Sequence, residues 1–493
     1  MARFNLKMLK RNATVNRAGG KAFTQSPELR LASLLLSSFA QDQFYRSAEQ
    51  SFDELKQLLT EVDPAFAARA AVYARHEFGM RSITHVLAAE LAPYASGKPW
   101  AKGFYDRIVR RPDDMTEILA YYFAQEGNKT VPNALRVGFA RAFDRFDGYQ
   151  LAKYRKGGKQ VKLVDVVNLV HPVPTQRNAK VLQELVDGTL RSTETWESKL
   201  SRAGQVATTE QERDELKGRA WADLLRDNKL GYFALLRNLR NLMAQAPELL
   251  SEVCDQLTDR QRIKRSLVLP FRFTAAMRAA QEATVELPAG ATHGKTEVLR
   301  ALNRAVDLAL DNVPRFPGKT LVILDDSGSM TWSKNRNGKS PMEIGSLFAA
   351  ILLKSNDADL IRFSSEASYR RFNPDDATLS IAERLVAGAA AGGTNMEAAL
   401  KTANRSYDRI VLLSDMQAWM QEQGTTRAFA DYRKRHRANP FVYSFDLQGY
   451  GSLQFPEERV FCLAGFSDKV FDILRLLETD RDALVRTIEN VSL

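Results

Sequence analysis

The sequence predicts a protein in two parts: an all-α region of helical repeats, followed by an α/β domain built on a doubly wound sheet. Three observations carry this. From residue 27 to about 285, apolar residues recur at i, i+3, i+4 and i+7 in one short segment after another, with no convincing strand pattern. From Gly318 the pattern becomes short β-prone runs alternating with helical ones. All the excess positive charge precedes the switch: residues 318–493 hold 22 basic and 23 acidic side chains, whereas the preceding 317 hold 48 and 36.

The helical segments follow in order. "SPELRLASLLLSSFA" opens with Ser26 as a capping residue and Pro27 at the first helical position. "SFDELKQLLTEV", "DPAFAARAAVYARHEFG", "SITHVLAAELAPYA", "PDDMTEILAYYFAQEG" and "VPNALRVGFARAFDRF" come next, separated by Pro, Gly, Asp or Ser. "VKLVDVVNLV", "NAKVLQELVDGTL", "DELKGRAWADLLRD", "YFALLRNLRNLMAQ" and "PELLSEVCDQLTD" complete the series. No helix this short can bury its apolar face alone, so stacked helix pairs of the HEAT or armadillo kind are expected, although no strict sequence period is visible. The first part is taken as residues 1–317, with a connecting segment near 286–317 centred on "ELPAGATHGK".

In the second part, 318–493, strands are expected at "TLVILDD", "DLIRFSS", "RIVLLSD", "FVYSFDLQG" and "RVFCLAGF". Helices are expected at "PMEIGSLFAAILLKS", "LSIAERLVAG", "TNMEAALKTA", "TTRAFADYRKRHRA" and "KVFDILRLLE". Apolar strands alternating with helices make a parallel sheet covered on both faces, with functional loops at the carboxyl ends of its strands.

Composition narrows the class. A chain of 493 residues exceeds one core, and 44% hydrophobic with 26% charged residues is ordinary for a globular protein. No stretch approaches the ~20 apolar residues that span a bilayer, and the basic N-terminus lacks an apolar h-region. Cys254 and Cys462 read as two ordinary thiols, so a reducing cytoplasm is expected. The net charge of +11 favours polyanionic partners.

"LVILDDSGSM" ends a buried strand in oxygen ligands. Asp325, Ser327 and Ser329, spaced D-x-S-x-S, can turn one carboxylate and two hydroxyls toward a point. Thr394 follows a Gly-Gly turn, and Asp415 ends another strand. In a doubly wound sheet these three loops meet at one edge. Hard oxygens, few and partly neutral, suit Mg2+ with positions left for water or a partner's carboxylate; a polar loop without metal is the other reading. Asp326 is read as solvated or hydrogen-bonded rather than as a ligand. No GxxxxGK[ST] and no strand-following GxGxxG occurs, which argues against nucleotide hydrolysis. Two-metal nucleases clamp their ions with several carboxylates, and this set is too poor in them. The pattern resembles the von Willebrand factor A domain and its metal-ion-dependent adhesion site. That resemblance covers about 318–493 and assigns Asp325, Ser327, Ser329, Thr394 and Asp415 as metal ligands.

The densest basic stretch, 129–162, holds nine basic residues against Asp144 and Asp147, interleaved with Phe143, Phe146, Tyr149 and Tyr154. Such forks and ammoniums bind phosphate, and aromatics can stack on unpaired bases. The aromatics also fit a core, and the charges a solvated face. The run "RKRHR" at 433–437 reads as a solvated face. His171, before Pro172, fits a packed or capping residue as well as an RNA-facing one.

"VPNALRVGFARAFDRFDGYQLAKYRKGGKQVKLVDVVNLVHPVP" resembles the central segment of the TROVE domain of Ro autoantigen proteins. "NRAGGKAF", "YFALLRNLRNL" and "LVLPFRFTAAM" are similar to other parts of it. TROVE followed by an A domain is the order of bacterial-type Ro proteins. The resemblance implies a ring of helical repeats closed by the A domain and a noncatalytic, RNA-binding function. Single-stranded 3′ ends of misfolded noncoding RNA would enter the ring, and Y-like RNA would bind outside. An RNA-mediated partnership with polynucleotide phosphorylase is also implied. On this resemblance Arg136, Arg141, Lys153, Arg155, Lys156 and His171 are the RNA-contacting residues, although the "RKGGKQ" loop does not align.

Overall fold

A computed structural model of the chain describes residues 13–15, 21–23, 26–37, 48–126, 130–155, 160–190, 196–206, 208–227, 230–283, 294–332, 340–416, 424–447, 460–464, 474 and 483–493. A short hairpin, β1 (Ala13–Val15) with β2 (Lys21–Phe23), precedes the helices.

Several helices begin at a side chain that caps them. Ser26 Oγ accepts from Leu29 N at 3.3 Å at the head of Pro27–Ser37. Asp63 accepts from Phe66 N at 3.0 Å ahead of Pro64–Glu77. Asp147 and Gln150 form a reciprocal capping box for Gly148–Tyr154. Two segments expected as single helices are divided. Residues 82–95 form Ser82–Glu90 and Ala92–Ala95, because Pro93 has no N–H to continue the ladder. The helix Asn133–Ala142 tightens into a 3-10 turn at Phe143–Arg145. Sequence inspection also passed over Ala101–Arg107, which packs closely against Asn133–Ala142. A β-carbon on Gly138 would stand 2.4 Å from Tyr105 Cβ, so only glycine admits that approach.

Each helix packs on near neighbours in the chain as far as Lys295–Ala309. The stretch expected as a connection, 286–317, therefore contains a 15-residue helix with Val298, Leu302, Ala305 and Val306 buried; "ELPAGATH", at 286–293, lies outside the described residues. One side of this helix meets Leu250–Thr258 and Phe273–Glu282, and another meets Thr378–Ala387 of the second part. There Asp307 accepts from Thr378 N at 3.0 Å and from its hydroxyl at 2.5 Å. Phe271 of the helical series stacks on Phe348 at 5.9 Å, and Phe348 meets Phe445 in a tilted contact at 4.8 Å. The other end of the series also reaches the second part. Pro27–Ser37 packs on strand Val460–Ala464, Pro64–Glu77 packs on helix Ala483–Glu489, and Arg69 donates to Val491 O at 3.2 Å. Contacts at both ends close the helices into a ring.

The second part is a six-stranded sheet. Its strands are β3 (Thr320–Asp325), β4 (Ala358–Phe363), β5 (Ala367–Arg370), β6 (Arg409–Ser414), β7 (Phe441–Asp446) and β8 (Val460–Ala464), in the order β5-β4-β3-β6-β7-β8. All pairings are parallel except β4 with β5, an edge strand the sequence reading did not foresee. Alternate residues face opposite ways. Val322, Leu324, Val411 and Leu413 join the core that runs on into the helical ring, while Leu321, Ile323, Ile410 and Leu412 pack with Met396, Leu400, Phe429 and Tyr432. The helix expected at "KVFDILRLLE" lies outside the described residues, Leu474 excepted.

Candidate functional site

From β3 the chain moves to β4 on one side and later to β6 on the other, so the carboxyl end of β3 is the switch point of the sheet. Asp325 ends β3 and is fully buried. Its Oδ1 accepts from Ser327 N at 2.9 Å, and its Oδ2 accepts from Ser414 Oγ at 2.5 Å across the β3–β6 junction. Ser327 and Ser329 bring their hydroxyls within 3.4 Å of one another. Asp415, fully buried, follows Ser414.

The loop carrying Thr394 is fastened to the first loop through the backbone. Gly328 N donates to Gly392 O at 3.0 Å, and Ala391 N donates to Asp326 O at 2.9 Å. Asp326 is buried and ion-paired with buried Arg362 of β4, and it also accepts from Ala390 N at 3.2 Å. Arg362 in turn donates to Gly388 O. Asp326 is thus hydrogen-bonded and ion-paired within the protein rather than solvated. Thr394, itself buried, stands two residues beyond Gly392.

Burial, and then the charge of Asp415, push the Asp325 carboxyl up to about 7, despite the Ser414 and Ser327 hydrogen bonds that favour ionisation. Among the described residues no three His, Cys, Asp or Glu side chains gather as a metal cage. This edge offers two carboxylates and several hydroxyls. That donor set fits one hard divalent cation such as Mg2+, whose charge would relieve the repulsion between Asp325 and Asp415.

The basic residues fall in two places. Arg136, Arg141 and Asp144 line a cleft of about 280 Å³ with Asn133, Val170 and Val173. Arg136 donates to Leu169 O at 3.2 Å, and Arg141 is exposed. His171, exposed, lies between two residues of that lining and caps Leu163–Val170 in the left-handed conformation, φ 49°. Capping and exposure therefore coexist in it. Lys153 is exposed on a separate helix, beside Tyr154, whose ring also lies 4.6 Å from the Arg111 guanidinium. Arg155 donates to Leu190 O. Lys156 lies outside the described residues.

Other basic and aromatic residues have local work. Arg145 ion-pairs with Asp106 and donates to Val109 O at 3.0 Å, so it anchors the turn. Phe143 and Phe146 are core, whereas Tyr149 is half exposed. In "RKRHR", Arg435 donates to Leu400 O and Ala403 O at 2.9 Å each and so caps Met396–Thr402. Sequence reasoning missed Ser414 and Arg362 as parts of the framework that holds these loops together. Ser414 had a signal, a hydroxyl beside Asp415 at a strand end; Arg362, inside an apolar strand, had only its charge.

Residues 24–219 and 188–314 match the TROVE domain, well over half of the chain. The chain belongs to the TROVE domain family. Within this TROVE chain, similarity to RNA-binding protein RO60 of Deinococcus radiodurans runs at 25% identity over 471 residues, covering 85% of this chain and 86% of that protein. A shorter stretch is 30% identical to Telomerase protein component 1 of Rattus norvegicus over 139 residues, covering 26% of this chain and 5% of that protein; the TROVE chain thus spans a small fraction of that relative's length. The crystal structure of the Deinococcus radiodurans Ro (RSR) protein aligns at a TM-score of 0.60 and 21% identity, covering 90% of this chain and 97% of that one. The shared fold includes both the TROVE helices and the α/β sheet, which fits a von Willebrand factor A domain.

Proposed function

We propose that this protein binds RNA without catalysing its cleavage, as a Ro protein of the cytoplasm. The observation that carries the reading is similarity along 85% of the chain to a protein named for RNA binding. The unequal charge of the two parts supports it, since the TROVE region holds the whole basic excess. In finer form, Y-like RNA and single-stranded 3′ ends of misfolded noncoding RNA are the ligands, and their quality control, processing or stress-linked decay is the role. Polynucleotide phosphorylase joins through the RNA. Arg136, Arg141 and His171 serve as one contact region, and Lys153, Arg155 and Lys156 as another.

Crosslinking followed by sequencing of copurified RNA tests this reading; recovery of no RNA above background would sink it. Charge reversal at Lys153, Arg155 and Lys156 should weaken binding and flatten its dependence on salt. Degradation of labelled single-stranded RNA by the purified protein with Mg2+ would remove the noncatalytic part. Asp325, Ser327, Ser329, Thr394 and Asp415 hold Mg2+ in this reading, and an open position accepts an acidic side chain of a protein partner. Partner capture that persists in EDTA would count against that role.

A further inference from the structure

Helix Tyr232–Gln245 buries Tyr232, Leu235, Leu236, Leu239, Leu242 and Met243. Its outward side carries Phe233, 48% exposed, with exposed Arg237, Arg240 and Asn241. At 3.6 residues per turn these four fall within an arc of roughly 100° and span roughly 12 Å along the axis. The helix contains no acidic residue.

The two arginines differ from most others in the TROVE region. Arg260 pairs with Asp311, Arg262 donates to Leu230 O at 2.7 Å, and Arg145 anchors a turn. Among the described residues, Arg237 and Arg240 make no hydrogen bond or ion pair. A single exposed phenylalanine is unremarkable by itself. Exposed phenylalanine, two uncommitted guanidiniums and an amide on one helical face form a combination the fold does not use: a flat ring to stack on and two forks for phosphate.

We infer that this face is a docking strip for single-stranded RNA, with a base stacked on Phe233 and backbone phosphates at Arg237 and Arg240. Asn241 donates to Asn238 Oδ1 at 3.4 Å, which leaves its own carbonyl to accept from a base edge. The strip rests on the RNA-binding reading and adds to it a surface separate from the 136–171 cleft.

The test uses the full chain and labelled single-stranded oligouridine over a salt series. Arg237→Glu with Arg240→Glu should weaken binding roughly tenfold or more and reduce the salt slope by about 1.4, two phosphate contacts' worth. Phe233→Ala should weaken binding roughly tenfold, the loss expected for one stacked base, without changing the slope. Phe233→Trp should bind normally and show indole quenching. All positions are exposed, so thermal melts should match wild type. If wild type binds while these variants keep its affinity and slope, and Phe233→Trp shows no quenching, the strip is overturned and the broader reading stands. Equal displacement by polyglutamate would also overturn it, as a general acidic-chain surface. Wild type that binds no oligonucleotide would bring down the reading and the strip together.

Discussion

Two buried aspartates, one in each part of the molecule, have opposite surroundings. Asp114, in the TROVE helices, is fully buried and meets Arg75 at 2.7 Å, His85 at 3.0 Å and Arg81 at 3.4 Å. The backbone N–H groups of Arg110 and Arg111 donate to it at 2.9 Å each. Burial pushes its carboxyl up, but the hydrogen bonds and charges of His85 and Arg75 outweigh this and hold it well below the usual carboxylate range. Asp325, equally buried, has two hydroxyl- or amide-bearing neighbours and a second carboxylate, and it shifts the other way. One carboxylate is neutralised by the protein's own cations, while the other lacks such compensation. The first belongs to the framework, and the second suits a cation brought from solution.

The sharpest way to break this comparison is at Asp114. Asp114→Ala leaves Arg75 buried without its partner and should cost about 3–5 kcal/mol of stability. Urea unfolding measures it, and a loss under ~1 kcal/mol would mean that the network is incidental. At Asp325 the same kind of change should have the opposite sign. Without metal, Asp325→Asn removes an unfavourable buried charge and should raise the melting temperature, by about 1 °C for each kcal/mol relieved in a chain of this length. With Mg2+ the order reverses: wild type gains stability from the ion and the variant does not. A melting temperature unmoved by Mg2+ in wild type would refute the metal assignment.

A smaller effect is expected from Asp326, which is not among the proposed ligands. Its ion pair with Arg362, together with the Ala390 and Gly388 contacts, holds the loop that leads to Thr394. Asp326→Asn should keep every ligand yet weaken Mg2+ binding by roughly 10–100-fold, as loss of an outer-shell partner does. Calorimetric titration reads this directly; unchanged affinity would show that the loop is fixed by its backbone bonds alone.

These cases also show why some features were legible in the sequence and others were not. Asp325 and Asp415 could be picked out because each stands at or just past the end of a strand whose apolar run announces it, and Thr394 because it follows a Gly-Gly turn at the head of a helix. The alternation of strand and helix was visible because burial on both faces leaves continuous apolar runs. The Asp326–Arg362 pair joins residues 36 apart, and Arg145 reaches Asp106 across 39. Nothing local distinguishes such an arginine from one that binds phosphate, which is how Arg145 came to be counted in a basic patch. The edge strand β5, Ala-Ser-Tyr-Arg, is too short and mixed to carry a periodic signal. The helix Lys295–Ala309 escaped notice because a segment rich in glycine and proline suggested a linker just before it.

The subtlest expected effect is a difference in pH window. For Asp114 the folded value is depressed, so its stabilisation is present above the ordinary value of 3.8 and is lost as pH falls below it. For Asp325 the folded value is raised from 3.8 to about 7. As pH rises between those values, the unfolded chain loses the proton first. Stability of the metal-free protein should therefore decline across that window and level off above it. Measured in EDTA, the stability of wild type relative to Asp325→Asn should fall from acidic to neutral pH, while wild type relative to Asp114→Asn stays level there and changes only in stronger acid. Saturating Mg2+ should reverse the first trend, because the cation competes with the proton for the same carboxylate. A wild-type and Asp325→Asn pair that runs parallel across pH 4–7 would mean that Asp325 is already compensated within the protein, and the contrast with Asp114 would disappear.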